Sequence, residues 1–202
     1  MGRKSTDKKR NTNELKREKY LNLLTQTFKV HGLRKYTMDS IAKELNITKA
    51  TLYQYFKSKD EMVEIILERV IFQLRDFEKI AQNQNLSFEE RYYQIIELFA
   101  GVISDISNIF LEDLRNDYPK LWKDVHNFIE YTSEVLFVFY DSGKKAGVFK
   151  DINSAVLAMT DRMFFNAVSD VEFLNKNKLT LKQAFEEYYK VKCFGFIHAG
   201  KS

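Results

Sequence analysis

The sequence predicts an all-helical fold in which a small N-terminal three-helix bundle with a helix-turn-helix is joined to a larger C-terminal helical domain. Three observations point there. One proline and 7 glycines stand among 202 residues; these residues punctuate strands and turns, so their scarcity favours long uninterrupted helices. Apolar residues recur at three- and four-residue spacings along most of the chain, the period of one helix face. Two very short helical segments within residues 38–56 meet at a tight turn, the pattern of a helix-turn-helix.

Taken in order, residues 1–12 read as a flexible basic arm, polar and without apolar period. Asn13 is placed to cap the first helix, whose inward face is Tyr20, Leu24 and Phe28 joined by Leu21 and Leu23. Gly32 suits the left-handed position that ends a helix. Thr37 caps a short helix over residues 38–45 with Ile41, Ala42 and Leu45 on one face. Asn46 and Ile47 form the turn, and Thr48 caps a second short helix over residues 49–56 that packs back through Leu52 and Phe56. Small Ala42 allows close approach, and Asn46 is the residue after glycine that best tolerates the positive φ such a turn needs.

Ser58 followed by Glu61 has capping-box spacing. Met62, Ile65, Ile66, Val70, Phe72 and Phe77 then carry one connecting helix over residues 59–81. Ser87 with Glu90 repeats the capping box and opens a helix to about Ser104, and a short helix covers residues 108–115. Pro119 suits the first turn of the next helix, Pro119–Lys145, which Gly147 stops. Stretches at 153–174 and 181–197 complete the set. The chain divides into the arm (1–12), a helix-turn-helix domain (13–58) and a larger domain (59–202).

Charge is divided the same way. Residues 1–60 carry fifteen Lys/Arg against six Asp/Glu, a net of +9, and since the whole chain is +4, residues 61–202 stand at −5. A basic head on a mildly acidic body fits a nucleic-acid-binding module attached to a non-binding one. For the arm, with Arg3, Lys4, Lys8, Lys9 and Arg10, two readings are open: a solvated tail, or a segment that reaches a DNA minor groove. Cys193 is the only cysteine and no stretch resembles a signal peptide or reaches the roughly 20 apolar residues of a membrane span, so a cytoplasmic protein without membrane association is expected.

The most informative stretch is Thr37 to Met62, TMDSIAKELNITKATLYQYFKSKDEM. Its run Ile47-Thr48-Lys49-Ala50-Thr51-Leu52-Tyr53-Gln54-Tyr55-Phe56, followed by Lys57-Ser58-Lys59, resembles the DNA-binding signature of the TetR/AcrR family of transcriptional regulators. The specific match covers about residues 20–70. Asn46 departs from the usual turn glycine, and Leu23 and Leu24 stand where the family tends to have alanines.

The resemblance implies that the second short helix lies in the major groove. Lys49, Ala50 and Gln54 would then face base edges, with Lys49 donating to guanine and Gln54 bridging adenine. Thr37, Thr48, Tyr53, Tyr55 and Lys59 would contact phosphates, and Thr51 belongs to the same DNA-binding set. Plainer roles stand beside these: capping for Thr37, Thr48 and Ser58, core packing for Tyr53, solvated lysines for Lys49 and Lys59.

The family resemblance also implies a ligand cavity among the middle helices and a homodimer paired through helices at about 153–174 and 181–198. Candidate lining residues are Phe99, Phe110, Trp122, Phe128, Tyr131 and Phe165. Asp161 and Arg162 interrupt an apolar helix, and a buried charge demands a partner; an ion pair between subunits and a polar anchor for ligand are both open.

His31, His126 and His198 share no ligand spacing, so no metal site is expected, nor is a cofactor. A glycine-rich phosphate loop, a nucleophile elbow and HExxH are all missing from the sequence, which disfavours an enzyme. The sequence therefore points to a DNA-binding regulator, most simply a repressor released from a palindromic operator by a small apolar molecule. The alternative is a DNA-bound protein whose body recruits a protein partner, which a body without a cavity would favour.

Overall fold

The computed structural model describes residues 3–196, and side chains from Asn13 onward except those of Phe194 and Phe196. Eleven helices follow one another among these residues, with no strand element. The head comprises α1 (Arg3–His31), α2 (Met38–Glu44) and α3 (Lys49–Tyr53). Leu21, Leu24 and Phe28 of α1 are fully buried against Ile41 and Leu52, while Leu23 points outward and takes no part in the inward face.

Helix α1 begins at Arg3, ten residues before the cap expected at Asn13. No glycine or proline lies between Arg3 and His31, so nothing in the backbone chemistry interrupts it. The basic side chains expected to act from residues 3–10 lie outside the described residues.

The turns follow the residue chemistry. Thr37 and Ser40 form a reciprocal capping box, Thr48 accepts from the Thr51 amide, and Asn46 takes φ 53. Helix α3 ends at Tyr53, sooner than expected, because the Gln54 and Tyr55 amides donate to carbonyls three residues back and tighten the last turn.

The connecting helix is two helices, α4 (Lys59–Leu74) and α5 (Asp76–Gln82). At Arg75 the ladder tightens, the Glu78 amide donating to the Arg75 carbonyl, while the Arg75 guanidinium lies 4.8 Å from the Tyr131 ring and bonds Glu78. No glycine or proline announces that break. The body continues with α6 (Phe88–Ile103), α7 (Asn108–Asp117), α8 (Pro119–Lys145), α9 (Ser154–Ser169), α10 (Val171–Lys176) and α11 (Leu181–Phe196).

The stretch expected as one helix over 153–174 is divided at Asp170. Its carboxylate accepts from Arg115 at 2.6 Å and from the Glu172 amide, so an interior aspartate becomes the cap of a new helix. Residues 197 and 198 of the last predicted helix lie outside the described residues. Helices α8 and α9 pack side by side, and one continuous core runs from Leu21 in α1 to Tyr189 in α11.

Candidate nucleic-acid interface and ligand cavity

The head displays α3 outward. Thr48, Lys49, Ala50, Tyr53 and Gln54 are exposed, and so is Thr37 at the mouth of α2. Tyr53 is 50% exposed, which excludes the core role open to it on sequence. Thr51 is half-buried, its hydroxyl 2.8 Å from that of Thr48. Tyr55 is also half-buried, edge-on to Tyr20 at 5.2 Å.

Lysines at the interface are already engaged. The Lys49 ammonium donates to Asp39 at 2.8 Å, and that hydrogen bond raises its pKa further above the ordinary lysine value. Any anion that takes up Lys49 must therefore displace an exposed carboxylate. Lys59 donates to the Leu33 carbonyl at 2.8 Å, so its first role is to tie the start of α4 to the end of α1. Ser58 caps α4, but Glu61 reaches the Lys57 amide at 2.6 Å rather than closing the box on Ser58. Arg17 completes the brace, donating to the Tyr55 carbonyl and lying 5.2 Å from the Phe56 ring centre.

Head and body meet at residues 29–34. Gly32 holds φ +77, and a Cβ there would stand 2.5 Å from Ile109 and 2.7 Å from Asp113 of α7, so both conformation and space require glycine. The Leu33 and Arg34 amides donate to Asp113 Oδ2 at 2.6 and 3.0 Å, with Asp113 itself 4% exposed. Arg34 also forks onto Asp117, and the Ser107 amide donates to the Lys29 carbonyl. The Arg34 fork holds the Asp117 carboxyl below its usual range.

In the body, α4, α6, α7, α8 and α9 enclose an apolar cavity of about 120 Å³. Phe99, Phe110, Trp122, Phe128 and Phe165 line it, together with aliphatic residues from α4 and α7. Tyr131 does not: its ring stacks on the Arg75 guanidinium and its hydroxyl bonds Glu78, so the polar tip turns the residue to the α5 side of α8.

The interrupting charges of α9 pair within one chain. Asp161, 1% exposed, accepts from Tyr140, Tyr188, Tyr189 and Lys192, while Arg162 bonds Glu130 at 3.0 Å on the surface. Of the two roles open to these charges, the ion pairs formed here lie within one chain and neither charge lines the cavity. Among the described residues no group of three His, Cys, Asp or Glu is placed to hold a metal ion, and no single helix is long and apolar enough to cross a membrane.

Sequence reasoning missed Asp113, Asp39 and Thr132, a buried hydroxyl of the cavity wall. Nothing in their local spacing separates them from ordinary surface residues of a helix.

An outward-facing helix-turn-helix braced to a cavity-bearing helical body defines a two-module DNA-binding regulator. The family model for bacterial regulatory proteins of the tetR family matches residues 23–66. Along most of its length the chain is similar to the HTH-type transcriptional regulator YvaF of Bacillus subtilis, 24% identical over 84% of this chain and 90% of that protein. The negative regulator of the biofilm operon icaADBC, IcaR of Staphylococcus aureus, is 25% identical over 78% of this chain and 87% of that protein.

Among solved structures, a transcriptional regulator from Saccharomonospora viridis in complex with choline superposes with a TM-score of 0.70 at 16% identity, covering 92% of this chain and all of that one. A TetR-family regulator from Marinobacter aquaeolei gives 0.68 at 21%, covering 87% and 88%. Residues 23–66 thus carry the DNA-binding module of the tetR family of bacterial regulatory proteins, and the rest of the chain is similar to such transcriptional regulators in sequence and fold.

Proposed function

We propose that this regulator is a cytoplasmic homodimeric repressor, released from its operator by a small, largely apolar effector in the body cavity. Two α3 helices would enter successive major grooves of a near-palindromic site about one DNA turn apart, roughly 34 Å. Lys49, Ala50 and Gln54 face base edges; Thr37, Thr48, Tyr53 and Tyr55 position the phosphates. Lys59 gives one ammonium donor to the Leu33 carbonyl and keeps others for a phosphate, so it both holds α4 to the head and contacts the DNA backbone.

The observation that carries this reading is that the two helices gripping the head also wall the cavity. Leu67, Val70 and Leu74 of α4 and Phe110, Leu111 and Leu114 of α7 line it, while Lys59 of α4 and Asp113 of α7 hold residues 33 and 34. An effector that spreads these walls shifts the head, and such couplings are typically about 1–3 kcal/mol. The repressor sense is supported by the similarity to IcaR, whose name describes a negative regulator, and a small-molecule effector by the choline-bound neighbour. The cavity also counts against a body that serves only to recruit a protein partner.

Dimerisation is supported by Val156, Met159 and Met163, which recur at three- and four-residue spacing on α9 and are exposed, as is Val191 on α11. Such a stripe is unusual on a monomer.

Fluorescence anisotropy on an inverted repeat from the DNA upstream of the gene tests the assignment. Lys49→Ala and Tyr53→Ala are each expected to weaken specific binding about tenfold or more without lowering the thermal midpoint. Binding should also fall steeply with salt. Affinity indifferent to both substitutions refutes the assignment.

A further inference from the structure

One polar group of the cavity wall takes no part in the grip on the head. Thr132 of α8 lines the cavity and is 3% exposed, and its hydroxyl has no hydrogen-bond partner. The other hydroxyl in the wall, Ser169, is already spent on the Asn166 carbonyl at 2.8 Å. No lining residue is ionisable.

We propose that the cavity selects an uncharged, single-ring apolar molecule bearing one hydroxyl or other hydrogen-bonding group, which pairs with Thr132. The proposal rests on the reading of this cavity as the effector site.

Three physical points fix the ligand class. A buried hydroxyl without a partner is unfavourable, and a ligand that supplies one recovers that penalty. A water molecule would serve poorly, since it needs two to four polar partners and Thr132 offers one. A carboxylate ligand would shed its hydration and meet no counter-charge, and an ammonium would find ring faces but no carboxylate in the wall to pair with it. As for size, an apolar cavity of about 150 Å³ accommodates benzene, so 120 Å³ sets one small ring as the upper limit, with some outward give of the wall needed for a substituted ring.

Trp122 is the single tryptophan of the chain and lines the cavity, so its fluorescence reports occupancy. The dimer would be titrated with p-cresol, with p-xylene (the same outline with a methyl in place of the hydroxyl), and with the charged probes p-toluate and choline. In the wild type p-cresol should bind about tenfold more tightly than p-xylene, and the charged probes about a hundredfold more weakly or not at all. Thr132→Val, of nearly the same shape, should abolish the p-cresol preference while p-xylene binds as well as before, which also shows that the variant is folded.

A preference unchanged by Thr132→Val, tighter binding of p-toluate or choline, or no response of Trp122 to any probe overturns the proposal. Occupancy as expected with operator binding unaffected would sink the effector reading and leave the selectivity standing. Release of DNA by a charged probe would do the reverse.

Discussion

Asp161 interrupts an apolar helix, and its carboxylate is tolerated in the interior because three phenols and the Lys192 ammonium converge on it. Removing one partner from such a buried pair is typically far more destabilising, at about 3–5 kcal/mol, than replacing both. Burial raises Tyr92, Tyr140 and Tyr189 well above the usual 10.0, with the nearby Asp161 charge adding to it. Burial also lowers Lys192, an effect partly offset by Asp161.

The signs decide the pH response. A raised phenol stays protonated in the folded chain, so its stabilisation is full below the unfolded value of 10.0 and is lost as pH climbs beyond it. Lys192 runs the other way, its folded state binding the proton less tightly, and that contribution is complete by its unfolded value of 10.5. Stability is therefore expected to fall above about pH 10, with phenolate absorbance rising in step with loss of helical circular dichroism. Full tyrosine ionisation in a chain that keeps its helicity would contradict this placement.

Among the elements, α7 touches both the cavity and the end of α1. One face carries Phe110, Leu111 and Leu114 into the cavity, and the other carries Asp113 and Asp117 to the end of α1. Asp113→Ala leaves the Leu33 and Arg34 amides without their acceptor; loss of a buried acceptor costs about 1–3 kcal/mol. The expected outcome is a modest drop in thermal midpoint together with a larger loss of effector-induced DNA release, the variant still occupying its operator when effector saturates the cavity. Release as complete as in the wild type would place the coupling elsewhere, with α4 the remaining route. Helices also break at Arg75 and Asp170. Neither bears a glycine or proline, and each is set by an arginine held by a residue distant in sequence or by its neighbours across the fold. For that reason the periodicity alone reads each as continuous helix.

For the whole molecule, the proposed reading of a palindrome requires two heads at a fixed separation, and the apolar stripe of α9 is the surface proposed to hold them there. Met163 is 61% exposed, so Met163→Glu leaves the protomer's own core untouched but places a charge where the partner is expected to pack. Sedimentation should then show a monomer, and operator affinity should fall by much more than tenfold because the second head no longer adds to the first. A variant that remains dimeric would move the interface away from α9.

Short-range chemistry settles the local features. Helix caps at Thr37, Thr48, Ser58 and Ser87, the left-handed turns at Gly32 and Asn46, and the buried faces of α1 to α3 apart from Leu23 follow from short-range hydrogen bonding, backbone sterics and apolar period, while the outward placement of α3 was what the family resemblance implied. Five of the six aromatics singled out for the cavity wall do line it: the family resemblance supplied the cavity and the rings of the middle helices supplied the candidates, while exposed Phe137 and Phe173 show that a ring in a helix need not pack inward. Tertiary structure alone decided which charges pair, where long helices break, that Tyr131 turns to Arg75, and that Thr132 is left without a partner. Those outcomes depend on atoms brought together from positions tens of residues apart, and the energy of a charge or hydroxyl is set by what surrounds it in space rather than by its neighbours along the chain.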